Sequence, residues 1–300
     1  MNRFRADLLL LLAAFIWGTA FVVQKNANQS MGPVLFVGLR FTLSTLALLP
    51  LVRYEARRVI APLSRLDWIQ AVLIGLCLFA GASLQQVGLV TTTATNGGFL
   101  TALYVVFVPF MLWSMTRQPP RTLVVAACLI SVAGAWLLAD NGQAKHWVVG
   151  DLLVLLADLA WALAIVVIGV FLQRTHRPFF LSFVQYGVTA LLGLAAGLSF
   201  GPVNVPGIVT ALPAILYAGL LSGALAFTVQ IIAQRHTPPA EAALIMSLES
   251  VFAALAGAWL LAERLTPLGV AGSALILLGV VLVEVGPGLL RNLRAATGSG

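Results

Sequence analysis

Three ionisable residues lie inside long apolar stretches of this chain: Arg40, Asp158 and Glu249. Charged groups in such surroundings are costly to bury, so they usually have a function or a partner. Arg40 could hold a ligand carboxylate or phosphate by two parallel hydrogen bonds, or it could form a structural ion pair or reach the interface. Asp158 and Glu249, removed from water, could carry a proton, or they could pair with Arg40 or with backbone groups.

Neutral polar and aromatic residues within the same stretches could complete a binding site. Aromatic walls suit a flat apolar side chain, or a cation held over a ring face. Side-chain packing and hydrogen bonding between helices are the alternatives for these residues. The candidates are Trp17, Phe79, Gln86, Asn96, Tyr104, Trp161, Gln185 and Gln230.

The elements that must position these residues are membrane-spanning helices. Apolar residues make up 60% of the chain and charged residues only 9%, whereas a soluble protein carries about 25% charged residues. The runs are continuously apolar, which excludes the alternating pattern of a membrane barrel. We therefore predict an all-α integral membrane protein with ten spans, near residues 7–24, 33–52, 67–89, 97–115, 121–139, 150–172, 178–199, 207–231, 240–262 and 267–286.

The chain repeats itself after about 145 residues. Asp7 precedes Trp17 by ten residues, and Asp151 precedes Trp161 by the same interval. Pro33 and Pro178 open the second span of each copy, and Gly134 and Gly279 lie alike in the fifth. Five spans per copy place the copies in opposite orientations. The sequence thus predicts two inverted repeats, residues 1–143 and 144–300, an organisation typical of transporters.

The basic residues predict the orientation, since they favour the cytoplasmic side. Thirteen fall on one side of the predicted spans and three on the other, which predicts cytoplasmic termini. This distribution accounts for the net charge of +7, so we expect a lipid surface and no nucleic acid as partner. The thirteen are Arg3, Arg5, Arg53, Arg57, Arg58, Arg65, Arg117, Arg121, Arg174, Arg177, Arg235, Arg291 and Arg294, and the three are Lys25, Lys145 and Arg264.

Segments 14–25, 38–41 and 247–279 resemble the drug/metabolite transporter superfamily, in particular its ten-helix EamA-type members. The resemblance covers residues 7–286. It implies a carrier with a central cavity in the inner membrane of a bacterium, exporting small metabolites. Together with the aromatic candidates, it favours small zwitterions, with aromatic amino acids preferred. A proton-coupled exporter of organic cations and a membrane channel without alternating access are the alternatives.

The sequence favours a transporter over an enzyme. Its three histidines fall in predicted loops, and no metal-ligand spacing or phosphate-binding glycine loop with lysine occurs, so we expect no metal and no cofactor. The partners expected are a small-molecule substrate and lipid. Ala127, Ser131 and Ala135 form a small-residue seam, either a dimer face or internal packing, so the protein is expected to be a monomer or a weak homodimer.

Overall fold

The computed structural model describes residues 1–59, 62–139, 148–199, 203–260 and 266–296. Lys145, His146 and Arg264 lie outside these ranges. Within them the chain is helical and no strand occurs, as predicted. Eight helices are long and apolar enough to cross a membrane, and two shorter apolar helices accompany them, at Thr122–Leu137 and Pro267–Leu282.

Each predicted span overlaps one of these helices. A short helix, Val205–Thr210, precedes the helix Leu212–Ala233. Pro33 and Pro178 occupy the first helical position of the helices Pro33–Arg58 and Pro178–Ser199, where a missing N–H costs nothing. The helices are α1 (Arg3–Ala27), α2 (Pro33–Arg58), α3 (Arg65–Thr91), α4 (Ala94–Thr116), α5 (Thr122–Ala139), α6 (Val149–Thr175), α7 (Pro178–Ser199), α8 (Leu212–Ala233), α9 (Pro239–Leu260) and α10 (Pro267–Ala296).

The most extensive helix contacts join the first predicted copy to the second. α2 packs against α7, α3 against α6, and α5 against α10. In addition, α6 packs on α3 and α4, and α1 packs on α8 and α9. These two sets of contacts are equivalent, because the repeat relates α1 to α6, α3 to α8 and α4 to α9. The two halves of the chain therefore interlock. They do not form two separate bodies.

The start of α1 and the start of α6 lie at opposite ends of the helix bundle. Thr92, after α3, accepts a hydrogen bond from Lys25 near the end of α1 and donates one to Asp151 at the start of α6. The two helices therefore run in opposite directions. We call the end that carries Asp7 the Asp7 end and the opposite end the Asp151 end.

The contact between α5 and α10 depends on two glycines that the repeat relates. A Cβ on Gly134 would lie 2.5 Å from the carbonyl oxygen of Gly272, and one on Gly279 would lie 2.9 Å from that of Ala127. These two contacts are equivalent when 145 is added to each number of the first copy. Because Ala127 and Ser131 face α10 here, their seam is used for packing within the chain.

We expect Gly134→Ala to destabilise the protein by about 1–3 kcal/mol, because the added methyl group meets backbone that cannot move aside. Gly187→Ala in α7 is the matched control, since its Cβ would meet only Thr45 Cγ2, at 3.9 Å. That change should leave stability unchanged or slightly raised. Thermal unfolding of the purified proteins in detergent measures both. Equal unfolding midpoints for the two variants would contradict the close approach of α5 and α10.

Candidate functional site

A central cavity lies among α1, α2, α3, α4, α6, α7, α8 and α9. The space among its lining residues, counted out to its open mouth, is about 660 Å³. About 60 Å³ of it is open to the centre of a water molecule, which is room for several waters. The cavity in this conformation is therefore narrow. Seven residues selected from the sequence line it: Trp17, Arg40, Tyr104, Trp161, Gln185, Gln230 and Glu249.

The other four selected residues do not line the cavity. Gln86 is buried between α1 and α3, and its Nε2 donates to the Gln24 carbonyl and to Asn28 Oδ1. Phe79 on α3 and Asn96 in the first turn of α4 are half-buried. Asp158 has no exposed surface at all. It lies behind the wall, close enough to Glu249 for the two carboxyl groups to interact.

Arg40 is a buried cation in the cavity wall. Its Nη1 donates to Gln24 Oε1 at 2.9 Å, and its guanidinium carbon lies 4.9 Å from the centre of the Phe41 ring. No carboxylate in the described part of the chain forms an ion pair with Arg40, and its Nε has no protein partner there. A buried guanidinium with spare donors can bind an anionic group.

Three aromatic rings form another part of the wall. The Phe227 ring centre lies 4.7 Å from Trp17 and 5.8 Å from Trp161, stacked on the latter. Trp17 Nε1 donates to the carbonyl of Ser222 at 3.1 Å. The Trp161 indole lies against Gly81, where a Cβ would be 2.8 Å from its Cε2. The rings are thus held by neighbouring backbone as well as by one another.

The backbone that carries Phe227 and Ser222 is a π-helix, Tyr217–Phe227 in α8. Such segments are rare and frequently occur at functional sites. Side chains of neighbouring helices bind two of its carbonyl groups, since Ser44 donates to that of Gly219 and Trp17 to that of Ser222. The π-helix is therefore bonded directly to α1 and α2.

α4 and α9 each contain a tightened turn at the same position of the repeat. Leu103 and Leu248 donate to carbonyls three residues back instead of four. The next helical segments begin at Tyr104 and Glu249, which are equivalent under the offset of 145. Both side chains are buried, and Tyr104 interacts electrostatically with Glu249 and Asp158. A short 3₁₀ turn inside a helix often marks a hinge.

Hydrogen bonds join α1 to α3 at the Asp151 end. Lys25 Nζ donates to the carbonyls of Thr92 at 2.6 Å and Leu89 at 3.1 Å, and Asn28 Nδ2 donates to the Gln86 carbonyl at 3.0 Å. The equivalent helices at the Asp7 end are α6 and α8. No hydrogen bond joins α6 to α8 in the part of the chain that the structure describes. We call the contacts of Gln24, Lys25 and Asn28 with α3 the polar lock.

Two residues that shape the cavity, Gln24 and Phe227, were not among the candidates from the sequence. Gln24 holds Arg40, and its signal was a polar side chain inside the first apolar stretch. Phe227 contacts both tryptophans, yet it is one of 16 phenylalanines and nothing in its neighbourhood distinguishes it.

Comparisons with known proteins identify similar chains over nearly the whole length. The model of the EamA-like transporter family matches residues 4–139 and again residues 148–285. An uncharacterized transporter of Archaeoglobus fulgidus is 33% identical over 285 residues, which are 95% of this chain and 87% of that protein. The uncharacterized inner membrane transporter YedA of Escherichia coli K12 is 28% identical over 301 residues, covering 95% of this chain and 93% of that one.

Two further comparisons agree. The uncharacterized transporter YwfM of Bacillus subtilis is 27% identical over 299 residues and covers 97% of both chains. One solved crystal structure superimposes with a TM-score of 0.74 at 19% identity, covering 98% of this chain and 100% of that one. At that identity the structural likeness shows the fold alone. These relatives are named as transporters and none as an enzyme.

Proposed function

This chain belongs to the EamA-like transporter family, and on that premise we propose that it is an alternating-access carrier that exports small zwitterions. Aromatic amino acids are the preferred substrates. The proposed setting is the inner membrane of a bacterium, with ten spanning helices and both termini in the cytoplasm. The two separate matches to the family support the division into repeats 1–143 and 144–300.

The observation that carries this proposal is a set of buried polar atoms in the cavity wall that have no protein partner among the described residues. Buried polar groups are normally paired, so a ligand that pairs with these atoms stabilises the site. Donors and acceptors both occur, and so do both signs of charge, as a zwitterion requires. The atoms are Arg40 Nε, Gln185 Nε2, Trp161 Nε1, Gln230 Oε1, Glu249 Oε1 and Tyr104 Oη.

The proposed roles follow from these charges. Arg40 binds the substrate carboxylate, and Glu249 receives the ammonium group. The rings of Trp17, Phe227 and Trp161 contact an aromatic side chain. Arg40 is the single basic residue of the described cavity lining, which disfavours nucleotides and other polyanions.

Alternating access is supported by the way the helices group. α1, α8 and α9 form one bundle, and α6, α3 and α4 form its repeat equivalent. Asp7 accepts from Thr237 at 2.8 Å within the first bundle, and Asp151 accepts from Thr92 at 2.6 Å within the second. The polar lock instead connects the two bundles. We therefore propose that the bundles, each containing helices of both repeats, move around the cavity while the polar lock opens and closes.

A proton-coupled exporter of organic cations is the second candidate. The unpaired oxygens of Glu249 and Asp158 beside an aromatic wall favour it, because a cation gains from both. A channel is the third reading from the sequence. The packing of Ala127 and Ser131 inside the chain supports a monomer in each case.

Uptake into proteoliposomes of the purified protein tests the substrate class. We expect labelled phenylalanine and tryptophan to enter with saturable kinetics, and threonine to enter more weakly because it cannot contact the three rings. Unlabelled phenylalanine should compete with labelled tryptophan. Saturable uptake of a quaternary aromatic cation without uptake of any amino acid would establish the second candidate instead.

A further inference from the structure

Two carboxyl groups at the centre of the molecule differ in their access to the cavity. Glu249 lines the cavity and is 3% exposed, whereas Asp158 is 0% exposed and lies outside the lining. Both Asp158 carboxyl oxygens and Glu249 Oε1 have no hydrogen-bond partner in the described ranges. The pair is therefore not explained by packing or by an internal ion pair.

A third polar group, the Tyr104 hydroxyl, lies near the two carboxyl groups. The Tyr104 hydroxyl is buried and interacts electrostatically with both carboxyl groups, most strongly with that of Glu249. Tyr104 and Glu249 follow the tightened turns of α4 and α9, and Asp158 comes from α6. Three helices thus place these groups close enough to interact, with Tyr104 and Glu249 in the cavity wall and Asp158 buried behind it.

Few other charged groups line the cavity near these carboxyl groups. Arg40 on α2 lines the same cavity and is bound to Gln24. The described cavity-lining residues of α1, α3, α7 and α8 include no ionisable group. Two adjacent carboxylates in an apolar interior repel each other, and without a cation they do not both ionise.

Building on the proposed function, we propose that Asp158 and Glu249 hold one exchangeable proton, which the ammonium group of the substrate displaces at Glu249. The O–H bond of Glu249 breaks, and the proton passes to water on the side to which the cavity is open. The ammonium group keeps its own protons and becomes the cation, bound at Glu249, that balances the charge of the two carboxylates. After the substrate leaves on the other side, the pair takes up a proton from that side.

The consequence is proton/zwitterion exchange. One proton crosses the membrane against each substrate molecule, so one positive charge moves in the opposite direction to the zwitterion. A pH gradient then drives accumulation of a substrate that carries no net charge. A facilitative carrier without proton exchange would only equalise the substrate concentration on the two sides of the membrane.

The test uses full-length protein in proteoliposomes with an acidic interior and labelled phenylalanine outside. We expect wild-type protein to accumulate phenylalanine several-fold above the external concentration, and a protonophore to abolish the accumulation. Glu249→Gln and Asp158→Asn should lose it. Glu241→Gln is the matched control, because that carboxylate pairs with Arg3 at the Asp7 end, 2.6 Å away, and its loss should leave accumulation intact.

Counterflow without any pH gradient is measured in the same vesicles. This measurement tests the carrier proposal independently of the proton-exchange proposal. Wild-type counterflow with no response to the gradient would overturn proton exchange and leave the carrier proposal standing. Absence of counterflow would overturn the carrier proposal. A second measurement avoids the variants: phenylalanine added to wild-type protein in weakly buffered detergent should release about one proton per molecule bound. Binding without release would overturn the exchange.

Discussion

Replacing Arg40 with methionine is expected to lower phenylalanine uptake by about 100-fold or more, since losing one partner of a buried charge contact costs about 3 kcal/mol. Methionine keeps most of the length and the packing of the side chain but removes every donor. Arg40 has no ion-pair partner in the described chain. The substitution therefore leaves no buried carboxylate without an ion-pair partner. Initial rates of uptake at several substrate concentrations measure the effect.

Arg40→Lys provides the matched comparison. It keeps the positive charge but loses the planar fork that holds a carboxylate by two bonds, so we expect an intermediate loss. The Arg40→Met variant also separates the two candidate functions. A carrier of organic cations would keep its cation uptake in this variant, because the positive charge only repels such a substrate. Unchanged phenylalanine uptake in the Arg40→Met protein would contradict the zwitterion site.

A covalent link across the polar lock is expected to stop transport completely. Asn28→Cys with Gln86→Cys places two thiols where the amide groups now meet at 2.8 Å. The native Cys77 and Cys128 are free thiols and are replaced with alanine first. After reaction with a short, reducible crosslinker that joins the two thiols, uptake should fall to that of protein-free liposomes. Reduction should restore it.

The matched control links two residues at the same separation inside one bundle. Asp7→Cys with Thr237→Cys replaces another 2.8 Å contact, at the Asp7 end, between α1 and the segment that follows α8. Because these elements are expected to move together, the crosslinked protein should still transport. Transport that continued with the polar lock linked, or that stopped equally in both proteins, would contradict the proposed movement of the two bundles.

The sequence offset of about 145 residues also relates contacts in the structure. The offset of about 145 residues relates Gly134 to Gly279, and these two glycines make equivalent contacts between α5 and α10. The same offset relates Tyr104 to Glu249, which lie together at the cavity. Apolar length alone was sufficient to find the helices, because a helix in lipid must satisfy its own backbone.

The side chains that face the cavity were harder to predict. Gln86 was selected from the sequence together with Gln230, but the offset of 145 relates Gln230 to Gln85. Gln85 and Gln230 line the cavity, whereas Gln86 bonds to α1. Asp158 and Trp161 are three residues apart on α6 and were both candidates, yet only Trp161 lines the cavity. The reason is that helices surrounded by lipid and by other helices are apolar on every side, so no periodic pattern marks the direction of the cavity.

Counterflow of phenylalanine in proteoliposomes tests the central claim most directly. Vesicles containing the wild-type protein are loaded with unlabelled phenylalanine and diluted into a trace of labelled phenylalanine, with no ion gradient. An alternating-access carrier for this substrate should accumulate the label transiently above its external concentration and then lose it. Label that merely equilibrates, at a rate proportional to its concentration, would show a pore and would contradict the account.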